Sequence, residues 1–80
     1  MNIYVGNLDF RVNENDLTEV FEEYGKVDSA KIITDRISGR SKGFGFVTME
    51  DRDEAKKAID KLDGTTYKNR KIVVNEAKPK

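Results

Sequence analysis

The chain has 80 residues, room for one domain with an economical core, and contains no His, Cys or Trp. Without Cys there are no disulfides and no thiolate zinc site, and without His the commonest general base and metal ligand is missing, so no metal, cofactor or catalytic residue is expected. Fifteen Lys and Arg balance fifteen Asp and Glu, and a net charge of zero, taken alone, argues against a polyanionic partner.

The N-terminus enters directly on Asn2-Ile3-Tyr4-Val5-Gly6, an alternating run of strand formers, with no signal-peptide pattern before it. No apolar run approaches the ~20 residues that cross a bilayer, so the expected location is the cytoplasm. Asn13 is a good helix N-cap, and Asp16 suits the positive end of the helix that follows. Leu17, Val20, Phe21 and Tyr24 recur at i, i+3, i+4 and i+7, which predicts a helix over about 13–24 with one apolar stripe. Gly25 is the expected C-terminal cap.

Val27 to Thr34 reads as a second strand, and residues 35–41 as a turn-forming, basic connection. Gly43 to Met49 is a third strand. Asp51 caps a second helix, with Glu54 placed to complete a capping box. Ala55, Ala58, Ile59 and Leu62 repeat the helical spacing until Asp63-Gly64 stops it. A loop holding Tyr67 leads to a last strand, Lys71 to Asn75. The order strand, helix, strand, strand, helix, strand predicts an α+β, ferredoxin-like sandwich, with two helices covering one face of a four-stranded antiparallel sheet. Residues 1–80 are expected to form one domain, with 78–80 as a short tail.

Alternation divides the sheet. Ile3, Val5, Ala30, Ile32, Val47, Met49, Ile72 and Val74 share the helix-covered face, joined by Gly43 and Gly45, which would let a helix approach closely. Tyr4, Lys31, Ile33, Lys42, Phe44, Phe46, Thr48, Val73 and Asn75 share the other face, and no element remains to cover it. Aromatics in strands are usually core residues. Turning these inward would expose Ile3, Val5, Val47 and Met49 together, so the rings are assigned to the open face. Flat rings bordered by Lys and Arg make a stacking platform for nucleic-acid bases.

The eight residues Lys42 to Met49 resemble the RNP1 motif of the RNA recognition motif (RRM) family at seven of its eight positions. Ile3 to Leu8 is similar to its six-residue partner, RNP2. The stretches 35–41 and 62–64 also resemble the family, and the likeness covers nearly the whole chain. Met49 departs from the family's Phe or Tyr, but alternation places it in the core, where a flexible apolar side chain fills space. Within the family the chain looks most like small single-RRM bacterial proteins.

The resemblance implies a module that binds short single-stranded RNA, with single-stranded DNA as a subsidiary ligand, and acts as a monomer away from membranes. It implies that Tyr4 and Phe46 each stack under a base and that Phe44 packs against sugars. Lys42, Arg36 and Arg40 are expected at phosphates, Lys31 and Asn75 flank the platform, and Ala77 and Lys78 are placed to read bases. The alternative is a protein-interaction module using the helix face. An enzyme is not expected, because no nucleophile–base pair with His or Cys can form. The run from Glu14 to Glu23 reads as a solvated helix face.

Zero net charge hides a division. Segments 13–24 and 50–63 hold eleven acids and four bases, and the remainder holds eleven bases and four acids. Local potential guides a ligand to a surface, so the sheet-and-loop side is the side expected to meet RNA.

Overall fold

In the computed structural model, which describes residues 1–77, the two predicted helices and the first three predicted strands form, and the predicted last strand is divided. The elements are β1 (Asn2–Gly6), α1 (Glu14–Glu22), β2 (Val27–Thr34), β3 (Ser41–Met49), α2 (Arg52–Leu62), β4 (Thr66–Tyr67), β5 (Arg70–Lys71) and β6 (Val73–Glu76). Four of the strands form an antiparallel sheet in the order β2-β3-β1-β6, and β4 and β5 form a small separate hairpin. The β1 and β3 strands therefore lie at the centre, and the two motif-bearing segments are neighbours.

The core lies between the helices and one face of the sheet. Ile3, Val5, Val47, Met49 and Val74 from the strands, with Ile72 between β5 and β6, meet Leu17, Phe21, Ala55 and Ala58 from the helices, and all are fully or almost fully buried. Ala30, Ile32, Val20, Tyr24, Ile59, Leu62 and Tyr67 pack around them, half-buried. The face predicted from alternation is the face the helices cover. Met49 is completely buried, consistent with its role as a space-filling core residue. Among the described residues, no helix is long and apolar enough to cross a membrane.

The helix ends differ from expectation. At α1 the Asn13 side chain accepts from the Asp16 N–H at 2.9 Å, and the Asp16 carboxylate accepts from the Asn13 N–H at 3.1 Å. This reciprocal box was expected at α2, where only Asp51 caps, accepting from the Glu54 N–H at 3.0 Å. The Glu54 side chain lies instead against Gly25, where a Cβ would come within 2.7 Å of the Glu54 Cβ. Gly25 is thus a close-approach residue and not the expected left-handed cap. It is not among the residues with positive φ, and α1 ends at Glu23 in ordinary helical conformation. Replacing Asn13 by Ala should cost about 0.5–2 kcal/mol of stability, measured by urea denaturation.

Three further corrections concern the strands. The predicted last strand is broken at Ile72. Its N–H donates to the Thr65 carbonyl and its carbonyl accepts from the Gly64 N–H, both at 2.9 Å. Lys71 therefore belongs to the β4–β5 hairpin, and Tyr67 lies in a strand, not a loop. Pairing of β2 with β3 shifts register between Val27 and Ser29. This bulge turns Val27 towards the core, which simple alternation from Ala30 does not give. Gly45 makes room for a strand and not a helix, since a Cβ there would meet the backbone of Lys31 and Ile32. Gly43 needs its freedom for a φ of +85° where β3 passes the Leu8 carbonyl.

Both sheet edges are occupied by acidic side chains. Glu14 on α1 accepts from the Ile32 N–H of β2 at 3.1 Å, and Asp63 accepts from the Val74 N–H of β6 at 2.9 Å. Such contacts blunt an edge that could otherwise pair with another chain. Glu14 is consequently more than part of a solvated face.

Candidate nucleic-acid interface

The open face is built from one row that crosses the whole sheet. Lys31 of β2 pairs with Phe46 of β3, Phe46 with Tyr4 of β1, and Tyr4 with Asn75 of β6. Directly paired residues of antiparallel strands share a face. The register thus sets two rings side by side, with a cationic side chain at one end of the row and an amide at the other.

Phe44, two residues along β3, completes a triangle. The Tyr4 ring centroid lies 5.9 Å from that of Phe44 and 5.9 Å from that of Phe46, and the two Phe rings are 6.3 Å apart. The planes are tilted by 33° and 64° for the Tyr4 pairs and by 89° for the Phe pair. Edge-to-face and tilted packing lets the rings support one another while leaving surface for a further π-system. Phe46 is 36% exposed, and Val73, on the same face beside Gly6, is 41% exposed. No element covers this apolar surface among the described residues.

The adjoining row is polar. Thr48 pairs with Asn2, and its hydroxyl donates to the Asn2 Oδ1 at 2.9 Å. These two side chains, with Ser29 beyond Thr48, place hydrogen-bonding groups next to the rings. Asn2 and Ser29 were not singled out from the sequence, although alternation from Tyr4 and Lys31 puts both on this face; the register decides that they adjoin Thr48.

The basic residues are less gathered than the rings. Lys31 is exposed within the row, and Lys42 is exposed near the start of β3. Arg36 and Arg40 sit on the exposed turn between β2 and β3, outside the platform itself. That turn is closed by Asp35, whose N–H donates to the Arg40 carbonyl at 2.7 Å and whose carbonyl accepts from the Gly39 N–H at 2.9 Å. Its carboxylate accepts from the N–H groups of Ser38 and Ile37 at 3.0 and 2.8 Å. Those backbone donors, Ser38 first, hold the Asp35 carboxyl below its ordinary value of 3.8, with Lys42 adding a smaller attraction. A depressed carboxyl pKa confers order that is complete above 3.8 and is lost as pH falls through the lower folded value. The amide resonances of Ile37 and Ser38 should therefore stay fixed at neutral pH and move only below about pH 4. Ile37, at the tip of this turn, is 97% exposed.

Ala77 is half-buried beside β1 and donates its N–H to the Asn2 carbonyl at 2.9 Å, which brings the end of β6 next to the polar row. Lys78 lies outside the described residues, as does the rest of the expected tail. Arg70 is a residue that sequence reading passed over. It donates from Nη2 to the Asn7 Oδ1 at 2.7 Å and from Nε to the Asn7 carbonyl at 3.3 Å, tying the β4–β5 hairpin to the end of β1. No local signal marks it, because Arg70 and Asn7 are distant in the chain. Among the described residues, no group of three His, Cys, Asp or Glu side chains is placed to hold a metal ion.

The RNA recognition motif family matches residues 3–73. RbpA of Synechocystis sp. is 51% identical over 80 residues, which are all of this chain and 79% of RbpA. The crystal structure of RNA binding protein PG1 superposes with a TM-score of 0.95 at 54% identity, covering 100% of this chain and 99% of that one. The Sex-lethal protein in complex with RNA gives a TM-score of 0.92 at 28% identity, covering 99% of this chain and 47% of that one.

Proposed function

From the premise that this chain belongs to the RNA recognition motif family, we propose that it binds short single-stranded RNA across the open face of its sheet. The chain is an RNA-binding module. The observation that carries the finer reading is the triangle of Tyr4, Phe44 and Phe46 on the uncovered face, half-buried at Tyr4 and Phe44 and exposed at Phe46, set by cross-strand register at the centre of the sheet.

Tyr4 and Phe46 each accept a base by stacking, and Phe44 packs against sugar between them. Lys31, Lys42, Arg36 and Arg40 provide the positive potential that attracts phosphate. Asn75, Ala77 and Lys78 contact bases at the β6 side. The action is binding without chemistry, by a monomer in the cytoplasm, and single-stranded DNA is a subsidiary ligand. Stacking contributes about 1–3 kcal/mol per base, so two or three bases give on the order of 2–9 kcal/mol before ordering costs. Micromolar binding needs about 8 kcal/mol. The expected footprint is therefore small, ~2–4 nucleotides, with modest affinity.

The test is titration with randomised short RNA, read by amide shift mapping over a range of salt. Shifts should fall on β1, β3 and the β2–β3 turn. The salt dependence should correspond to fewer than about six phosphates, since each tenfold rise in salt lowers log K by roughly 0.7 for every phosphate neutralised on a single strand. Shifts confined to α1 and α2 would overturn the reading.

A further inference from the structure

Gly6 shares the open face with Tyr4 and lies opposite the exposed Val73, yet it is buried. Tyr4 itself provides the cover. A Cβ built on Gly6 would lie 2.8 Å from Tyr4 Cε2, 2.8 Å from Cζ, and nearer still to Oη. Real Cβ atoms essentially never come within 3.0 Å of another such atom. The Tyr4 ring therefore leans along its own strand, and its far end fills the space that any side chain at position 6 would occupy.

The backbone does not demand glycine at this position. Gly6 is not among the residues with positive φ, and it pairs with Val73 as an ordinary strand residue. In this it differs from Gly43, whose φ is +85°, and from Gly45, where a Cβ would strike the β2 backbone. Glycine is a poor strand residue on entropic grounds, so alanine here would be favoured were the ring not present. The three atoms nearest the absent Cβ all belong to the Tyr4 side chain.

We infer that Gly6 is a positioning residue for RNA binding: its missing Cβ lets the Tyr4 ring lie down along β1, in the attitude from which it stacks on a base. The inference rests on the stacking role proposed for Tyr4. With a methyl group at position 6, the far end of the ring must shift away from β1, which changes its attitude beside Phe44 and Phe46.

A double-mutant cycle tests this directly, using fluorescently labelled random-sequence RNA hexamers as the probe. Gly6→Ala alone should weaken binding by about five- to tenfold, the size of a partly lost stacking contact, while the domain stays folded. In the Tyr4→Ala background there is no ring to displace, so adding Gly6→Ala should change affinity by a factor of about one. An equal loss in both backgrounds, or no loss from Gly6→Ala alone, overturns the inference. Proton NMR of the unaltered protein gives an independent readout that does not need the variant to fold. Nuclear Overhauser contacts should link the Gly6 Hα protons to the Tyr4 Hε protons, because the far end of the ring lies against Gly6. Absence of those contacts would overturn the inference as well. If Tyr4→Ala leaves affinity intact, the stacking reading itself fails. If Tyr4→Ala weakens binding and Gly6→Ala does not, only the positioning role of Gly6 fails.

Discussion

Replacing Tyr4 and Phe46 together by alanine should remove most of the RNA affinity and leave the domain folded. Each ring is expected to stack one base at about 1–3 kcal/mol, so the pair accounts for roughly 2–6 kcal/mol. At 1.4 kcal/mol per factor of ten, that corresponds to a loss of about thirty-fold at the least, and to undetectable binding at the most. The fold survives because neither ring belongs to the buried core, which lies on the opposite face of the sheet. The rings do support one another at 5.9 Å, so a small drop in stability is expected, on the order of the 0.5–1.5 kcal/mol of an aromatic pair. The measurement is fluorescence anisotropy with labelled RNA, with thermal unfolding as the control. A folded double variant with an unchanged binding curve would rule out the platform.

Phe21→Ala should give the complementary result, a large loss of stability with the RNA surface untouched. Phe21 is completely buried and is the largest side chain of the core. It sits on α1, on the far side of the sheet from the aromatic triangle. Truncating a buried Phe to Ala costs about 3–5 kcal/mol, through lost transfer energy and the cavity left behind. Small domains have about 5–15 kcal/mol in total, so the variant should be marginal or unfolded at 37 °C. Chemical denaturation measures the loss. At low temperature, where folded protein remains, the affinity of that fraction should match that of the unaltered chain. A change of less than 1.5 kcal/mol, the usual range for volume-conserving swaps, would mean that α1 is not docked as described.

Much of the molecule was legible in its residues, for a definite reason. Strand alternation and helical spacing are local properties, readable over eight or ten residues. They separated Ile3, Val5, Val47 and Met49 from Tyr4, Phe44 and Phe46, and so placed the helices on one face and the rings on the other. The charge division follows from the same reading, since its acidic half falls on the two helices. Net charge pointed away from nucleic acid only until the charges were assigned to faces.

Features that depend on which distant residues meet could not be read this way. The bulge that turns Val27 inward arises from the register of β2 on β3. The break at Ile72 arises because its backbone is taken up by Gly64 and Thr65. Gly25 accommodates Glu54 and Gly45 accommodates the β2 backbone, so each is required by a neighbour and not by a local turn. Glu14 and Asp63 cover the edge amides of Ile32 and Val74, and Arg70 grips Asn7 across most of the chain's length. Composition and periodicity determined the faces of this protein, because the side-chain period fixes orientation within each element. Only the tertiary structure decided the row Lys31–Phe46–Tyr4–Asn75 and the resting place of the Tyr4 ring over Gly6, because strand register and close approach are set by how separate elements pack.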